Sequence, residues 1–135
     1  NLIFQRADRM DAVVMSTMNK NEHFIGTQTE LFSGHIAPLK HLYKSEVIDL
    51  AKEMGLTRTS AFGARTGCAD YWFDDEIFGV NNEIVSALLY LFCEKRYTSA
   101  EISRKFAIPN SNWLKLFEKR VHFQKYRLDT QSLGV

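Results

Sequence analysis

A hydroxyl and a carboxylate follow a short apolar run near the start of the chain. Residues 12–15 (AVVM) are continuously apolar, as in buried parallel strands, and Thr17 and Glu22 come shortly after them. At the carboxyl end of a parallel strand, a hydroxyl can face a ligand and a carboxylate about one turn later can hold a hard cation beside phosphates. The same residues also fit a helix N-cap followed by a solvated glutamate. Residue types alone leave both interpretations open.

A second candidate is Lys44, which lies just before a predicted helix over residues 45–54. A basic side chain there would meet the incoming loop where the free backbone N–H groups of a helix N-terminus already favour anions. Taken alone, the residue fits an ordinary surface lysine better than an anion-binding one.

Histidine and cysteine give no metal site that we can derive from spacing. The four histidines have no metal-ligand spacing, and Cys68 and Cys93 are too few and too far apart for a zinc pair or a disulfide framework. Two isolated cysteines favour a reducing compartment, so we expect a cytoplasmic protein.

Length and composition predict one domain over residues 1–135. The chain has 45% hydrophobic and 24% charged residues, as in ordinary globular domains, and its formal net charge of +1 argues neither for nor against nucleic acid. No apolar run approaches the roughly 18 residues of a membrane helix, and the N-terminus lacks a signal pattern. The chain begins at Asn1 inside an amphipathic segment, which we interpret as a piece of a longer protein.

The first half is predicted to alternate between helix and irregular structure around one strand. The predicted elements are a helix from Leu2 to Met10, the strand 12–15, a turn with a short helix over 16–26, a long loop over 27–41, and the helix 45–54, which Gly55 ends. Residues 58–79 form a second irregular stretch that ends in an acidic cluster.

After residue 80 the chain is predicted to be mostly helical. Ile84, Leu88, Leu91 and Phe92 share one helix, Thr98 with Glu101 forms a capping-box pattern, and Pro109 separates the next helix. Residues 94–127 carry nine Lys and Arg against three Asp and Glu. Residues 98–119 therefore fit either a helix-turn-helix DNA-binding module or a packing hairpin. We expect that nucleic acid is not the partner, because few side chains on the second helix are suited to contact base edges.

Three segments in this order resemble the C-terminal half of ammonia-dependent NAD synthetases. They are STMNKNE after the apolar run, HIAPLKHLYKSEVIDLAKEMGL, and CADYWFDDEIFGV. The resemblance implies an α/β fold, the C-terminal part of a doubly wound parallel-sheet domain of the adenine nucleotide alpha-hydrolase-like type. It also implies a ligase in which ATP adenylates the carboxylate of nicotinic acid adenine dinucleotide (deamido-NAD) and ammonia then displaces AMP.

The resemblance assigns roles to six residues. Thr17, Lys44 and Cys68 are placed like ATP-contacting residues, with Lys44 also catalytic, and Glu22 is placed like the magnesium ligand. Lys125, with His35, is placed near the dinucleotide substrate. The resemblance implies ATP and Mg²⁺ as cofactors, and deamido-NAD with free or glutamine-derived ammonia as substrates. It also implies a homodimer. The first helix and residues 84–92 could form the dimer interface, or they could belong to the intramolecular core.

The chain departs from the family pattern at several positions. Glu30 and His35 stand where the family has a lysine and an aspartate, Cys68 stands for a Ser or Thr, and the Ser-Gly-Gly-x-Asp-Ser pyrophosphate loop does not occur in these residues. Without the loop's backbone N–H groups and aspartate, the charge arrangement around the phosphates is incomplete. We therefore expect no activity from this chain alone. A non-catalytic relative of the family remains an alternative.

Overall fold

The computed structural model describes residues 2–26, 34–56, 79–109 and 111–131. Within these ranges the chain forms six α-helices and one π-helical turn: α1 (Leu2–Arg9), α2 (Lys20–Ile25), α3 (Lys44–Glu53), α4 (Asn82–Leu89) continuing into the π-helical turn (Tyr90–Glu94), α5 (Ser99–Phe106) and α6 (Asn112–Gln131). The predicted irregular stretch 58–79 and most of the loop 27–41 lie outside the described residues.

The first helix ends where the sequence predicts a break. Asp11 has a left-handed backbone with a φ of 49°, which turns the chain out of α1 into the extended residues 12–15. Met15 then forms an isolated parallel bridge with Ile36. Parallel pairing is thus present, but within the described ranges it does not extend into a longer strand.

The prediction that residues 12–15 are buried is wrong for the described structure. The side chains of Val13 and Met15 are 61% and 66% exposed, and Ile36 across the bridge is 49% exposed. Phe4 of α1 packs against His35 beside this segment, but Val13, Met15 and Ile36 stay exposed, so the apolar sequence pattern is present without the packing that usually accompanies it.

The short helix α2 is fixed at both ends by its own sequence. The Asn19 side chain accepts a hydrogen bond from the Glu22 N–H at 3.1 Å, and the Glu22 carboxylate accepts one from the Asn19 N–H at 3.0 Å. This capping box satisfies two backbone donors at the helix start. Gly26, with a φ of 73°, ends the helix in the left-handed region that a residue without a Cβ adopts at low cost.

The prediction of a helix over residues 45–54 is confirmed to within one residue by α3. Glu46 in its first turn accepts a 2.6 Å hydrogen bond from the Tyr43 N–H, and Gly55 follows the last turn with a φ of 72°. The helix therefore begins directly after the loop that carries residues 34–43.

The second half supplies most of the core, as the apolar spacing predicts. Thr98 and Glu101 form the predicted capping box of α5, which ends at Phe106, ahead of Pro109. One cluster of buried side chains joins α2, the residue before α3, α4, the π-helical turn, α5 and α6: Ile25, Tyr43, Val85, Leu88, Leu89, Phe92, Ile102, Leu114, Phe117 and Val121. Residues 84–92 thus contribute mainly to the intramolecular core, although Ile84 itself is 46% exposed.

The helices α5 and α6 pack on each other through this core. Ile102 of α5 and Leu114, Phe117 and Val121 of α6 are all buried in the same cluster. This is the arrangement that the packing-hairpin interpretation of residues 98–119 predicts. Among the described helices, none has the length and apolar character needed to cross a membrane.

Candidate functional site

Hydrogen bonds join the first turns of α2 and α3 side by side. The Lys20 N–H donates to the Leu42 carbonyl oxygen at 2.8 Å, and the Lys44 N–H donates to the Asn21 side-chain oxygen at 3.1 Å. The Asn21 amide in turn donates to the Ser86 hydroxyl oxygen of α4 at 3.1 Å. Asn21 and Ser86 are 4% and 5% exposed, so this junction is a buried polar link between three helices.

The chain reaches this junction from two adjacent extended segments. Residues 16–19 follow Met15 and residues 37–43 follow Ile36, and the two bridge partners run parallel. The loops that follow parallel neighbours leave from the same edge, so both helix N-termini lie at the carboxyl end of the bridge. In α/β proteins this is the edge where nucleotides bind.

Lys44 is the first residue of α3 and only 8% exposed. No described residue forms a hydrogen bond or an ion pair with its ammonium group. The backbone N–H groups of Lys44 and Ser45 are already bonded to Asn21 and Ser86, so the buried ammonium group is the part of this helix start that an anion would stabilise. The interpretation of Lys44 as an ordinary surface lysine is therefore wrong.

Thr17 and Glu22 lie on either side of the α2 cap. Thr17 is exposed, while the neighbouring Ser16 hydroxyl accepts a hydrogen bond from the Met18 N–H at 3.1 Å. Glu22 uses its Oε2 atom in the capping box, so the predicted helix N-cap is present, but this oxygen is bonded within the cap and not simply solvated. The Oε1 atom has no hydrogen bond to another described residue.

The described residues do not form a complete metal site. Among them, no group of three or more His, Cys, Asp and Glu side chains is placed to hold a metal ion. A magnesium ion commonly uses only one or two carboxylates together with water and substrate phosphates, so a single oxygen of Glu22 fits as a partial ligand.

The two residues placed near the dinucleotide by the resemblance lie in different surroundings. His35 accepts a hydrogen bond from the Val14 N–H at its Nδ1 atom at 3.0 Å, and its ring packs edge-on against Phe4 of α1 at 5.0 Å between ring centres. Lys125 lies on α6, beside Cys93 and His122. Within the described ranges no contact joins the two residues. Cys68 lies outside the described residues.

A three-residue network at the junction was missed by sequence analysis. The Lys20 ammonium donates to Glu94 Oε1 at 2.6 Å and the Tyr43 hydroxyl donates to the same oxygen at 2.7 Å. The Lys20 ammonium also lies 4.5 Å from the centre of the Tyr43 ring. Glu94 is 74 positions from Lys20 in the chain, so no local sequence pattern predicts this contact.

The network shifts two pKa values in opposite directions. The hydrogen bonds from Lys20 and Tyr43 lower the pKa of Glu94 below its usual value. Burial, and then the hydrogen bond to the Glu94 carboxylate, raises the pKa of Tyr43 well above its usual range. The carboxylate is thus held ionised and the phenol held neutral beside the α2 N-terminus.

Comparison with known proteins identifies relatives over nearly the whole chain. The family described as NAD synthase matches residues 1–130. The NH(3)-dependent NAD(+) synthetase of Pyrococcus horikoshii is 25% identical over 113 residues, which are 82% of this chain and 44% of the relative. The protein of the same name from Picrophilus torridus is 26% identical over 100 residues, which are 70% of this chain and 39% of that relative. The chain therefore spans less than half the length of these curated relatives.

A solved structure shows the same fold. The NMN synthetase from Francisella tularensis superposes with a TM-score of 0.60 over 90% of this chain and 47% of that chain, at 20% sequence identity. The arrangement of the described helices is thus one that also occurs in a protein of about twice the matched length.

Proposed function

Because this chain belongs to the NAD synthase family, we propose that it forms the nucleotide-binding second part of an ATP-dependent ligase that amidates nicotinic acid adenine dinucleotide. The match of the family over residues 1–130 is the observation that carries the proposal. The fold proposed with it is the C-terminal part of a doubly wound parallel sheet, of which the Met15 and Ile36 bridge is one pairing.

The chemistry of such a ligase defines what the site has to stabilise. ATP supplies an adenylyl group to the substrate carboxylate with loss of pyrophosphate, and ammonia then attacks the activated carbonyl carbon and releases AMP. Negative charge develops on the departing pyrophosphate, so fixed positive charge near the phosphates lowers the barrier.

Lys44 is the residue we propose for this task. Its burial at the start of α3, with no described partner for the ammonium group, supports contact with phosphate oxygens. Asn21 positions Lys44 by accepting the hydrogen bond from its backbone N–H. Thr17, exposed at the end of the first extended segment, is proposed to contact the same nucleotide, and Cys68 is proposed as a further contact.

We propose that Glu22 supplies one carboxylate oxygen, Oε1, to a magnesium ion that also binds the phosphates. The capping box holds Oε2 against the Asn19 N–H, which fixes the direction of the carboxylate. Lys125 and His35 are proposed to contact the dinucleotide, His35 through Nε2 since its Nδ1 atom accepts from Val14. A homodimer in the cytoplasm, with free or glutamine-derived ammonia as nitrogen donor, completes the proposal.

The test of the nucleotide site compares two lysines of the same helix. Lys44→Gln should weaken binding of ATP with Mg²⁺ by about tenfold or more, since a charge-assisted hydrogen bond contributes about 1.5–3 kcal/mol. Lys52→Gln is the matched control, because Lys52 is exposed and pairs with Asp49 on the surface, at 3.0 Å. Isothermal titration calorimetry measures both. Equal affinities for the wild type and Lys44→Gln would overturn the assignment of Lys44.

The test of the reaction is an amidation assay with nicotinic acid adenine dinucleotide, ATP, Mg²⁺ and ammonium chloride, following AMP. We expect no turnover from the chain alone, and we expect turnover when it is purified together with a polypeptide that supplies the pyrophosphate loop. Binding of ATP without turnover in that assembly would instead identify a non-catalytic relative.

A further inference from the structure

A cavity of about 380 Å³ lies between α2, the π-helical turn and α6. Its walls are largely apolar: Phe24, Phe92, Tyr97 and Val121 line it. Phe92 and Val121 are buried members of the core, and Phe24 and Tyr97 pack against that core. A cavity of this size, with flat aromatic walls, fits a ring system of about two fused rings.

The polar residues around this cavity are all basic or neutral. Arg96, Lys125, His23 and His122 line it, and no Asp or Glu is among the described lining residues. Arg96 and Lys125 are exposed and carry a permanent charge at neutral pH. Carboxylates do contact lining residues from outside the cavity: Glu118 Oε1 lies 3.8 Å from His122 Nε2, and the Thr98 hydroxyl donates to Glu101 Oε2 at 2.9 Å. A neutral ring would form no ion pair with Arg96 or Lys125, whereas an anionic group on the ring would pair with them.

The backbone around the cavity departs from regular geometry at two points. Phe92 and Cys93 belong to the π-helical turn, a rare conformation that recurs at functional sites. Arg96 has a φ of 56°, a left-handed conformation that costs energy for a residue with a Cβ. Arg96 follows the end of the π-helical turn, where the Tyr97 N–H donates to the Leu91 carbonyl oxygen at 3.0 Å, so its left-handed backbone ends the helix and brings residues 96 and 97 to the cavity.

We propose that this cavity is a binding site for an aromatic anion, with the ring between Phe24, Phe92 and Tyr97 and its carboxylate or phosphate at Arg96 and Lys125. It lies at the C-terminal end of α2 and the middle of α6, whereas Lys44, Thr17 and Glu22 lie at helix N-termini. Because Lys125 is also the residue proposed above to contact the dinucleotide, this inference rests on the proposed function at that residue. A simple aromatic anion needs neither ATP nor ammonia to bind, so its binding tests the cavity separately from the ligase reaction.

The thiol of Cys93 lines the same cavity but is not its reactive group. Burial raises the pKa of Cys93 to about 11, although the charge of Lys125 acts in the opposite direction. A thiol with this pKa is almost entirely protonated at neutral pH and is a poor nucleophile.

Calorimetric titration of the full chain tests the proposal. The probes are 2-naphthoate and 2-naphthyl phosphate, with 2-naphthamide as the neutral ring and acetate and inorganic phosphate as ringless anions. We expect one molecule of a naphthyl anion per chain, bound about tenfold or more tightly than the amide or the ringless anions. The tighter of the two naphthyl anions identifies the preferred headgroup.

Three variants locate the binding. Arg96→Gly removes a cation and also relieves the left-handed backbone, so the variant retains its fold, and it should weaken binding of the tighter anion about tenfold. Lys125→Ala should do the same. Lys119→Ala, on the same helix but outside the cavity lining, is the matched control and should leave the affinity unchanged. The proposal fails if the neutral amide or a ringless anion binds as tightly as the naphthyl anions, or if Arg96→Gly and Lys125→Ala match the control.

Discussion

The Glu94 carboxylate accepts two hydrogen bonds from residues that are distant in the sequence. Lys20 lies at the start of α2, Tyr43 precedes α3, and both donate to the same Oε1 atom. The side chain of Glu94 is 39% exposed, so the ion pair with Lys20 is partly screened by water and its energy is small. Tyr43 is 8% exposed, and its hydroxyl therefore depends on Glu94 for the hydrogen bond that water would otherwise provide.

Replacement of Tyr43 by phenylalanine should cost about 1 kcal/mol of stability near neutral pH, and the cost should shrink at both ends of the pH range. The folded pKa of Glu94 is lowered from 4.5, so its contribution is present above that value and lost as the pH falls below it. The folded pKa of Tyr43 is raised from 10.0, so its contribution is present below that value and lost as the pH rises above it.

Urea denaturation of the wild type and Tyr43→Phe at acidic, neutral and alkaline pH measures this dependence. Glu94→Gln is the control for the acidic side, because its side chain cannot be protonated and the acid-dependent part should vanish. A Tyr43→Phe penalty that stays constant from about pH 3 to about pH 11 would show that the network does not contribute to stability as described.

At the scale of elements, side chains of α6 contact the backbone at the C-terminal end of α2. The Arg120 Nε donates to the Ile25 carbonyl oxygen at 3.0 Å. A Cβ built on Gly26 would overlap the end of the Gln124 side chain, which would have to shift within a site where Gln124 is only 6% exposed. Glycine is needed at position 26 both for its φ of 73° and for this contact.

The structure offers a matched test of that requirement. Gly26→Ala and Gly55→Ala both place a Cβ on a left-handed backbone, but the Cβ at position 55 has no described atom within 4 Å. We expect Gly55→Ala to cost about 1 kcal/mol and Gly26→Ala about 1–3 kcal/mol more, as for other overpacked sites. Chemical denaturation measures both. If the two variants lost the same stability, the packing of Gln124 on α2 would be unimportant, and adding Gln124→Ala to Gly26→Ala would give no recovery.

Local signals predicted the elements whose ends are encoded locally. The capping box of α5, the glycine after α3 and the break before Pro109 each depend on residues within one turn of the helix end, and all three are confirmed. The π-helical turn was not predicted, because the apolar spacing of Leu88, Leu91 and Phe92 is equally typical of a continuous α-helix. The pairing of Met15 with Ile36 was not predicted either, since a single parallel bridge leaves no periodic pattern in the loop that contains Ile36.

At the scale of the whole molecule, the candidate site contains residues that sequence analysis identified and hydrogen-bond partners that it could not predict. The spacing around Lys44 and the family resemblance identified that lysine, but not Asn21, which accepts a hydrogen bond from its backbone N–H, or Ser86 of α4, which is 65 positions from Asn21 and accepts from its amide. The burial expected for residues 12–15 did not appear, because apolar composition specifies a tendency to be covered and not the element that covers it. The roles of Thr17, Glu22, Lys44, Cys68, His35 and Lys125 stay predictions.

One core unites segments from both ends of the chain, and this arrangement makes the prediction of a single domain testable. Ile25 of α2 and Leu114 of α6 belong to the same buried cluster, whereas α1 contributes no member to it and buries only Ala7. If the chain unfolds cooperatively, Leu114→Ala should cost about 2–5 kcal/mol and lower the opening free energy of the slowest amides in α2 and α6 by the same amount. Amides of α1 should exchange by local opening and remain unaffected. Native-state hydrogen exchange measures all three helices at once. Unchanged protection in α2 beside reduced protection in α6 would mean that the two helices unfold independently, and would contradict the single domain predicted over residues 1–135.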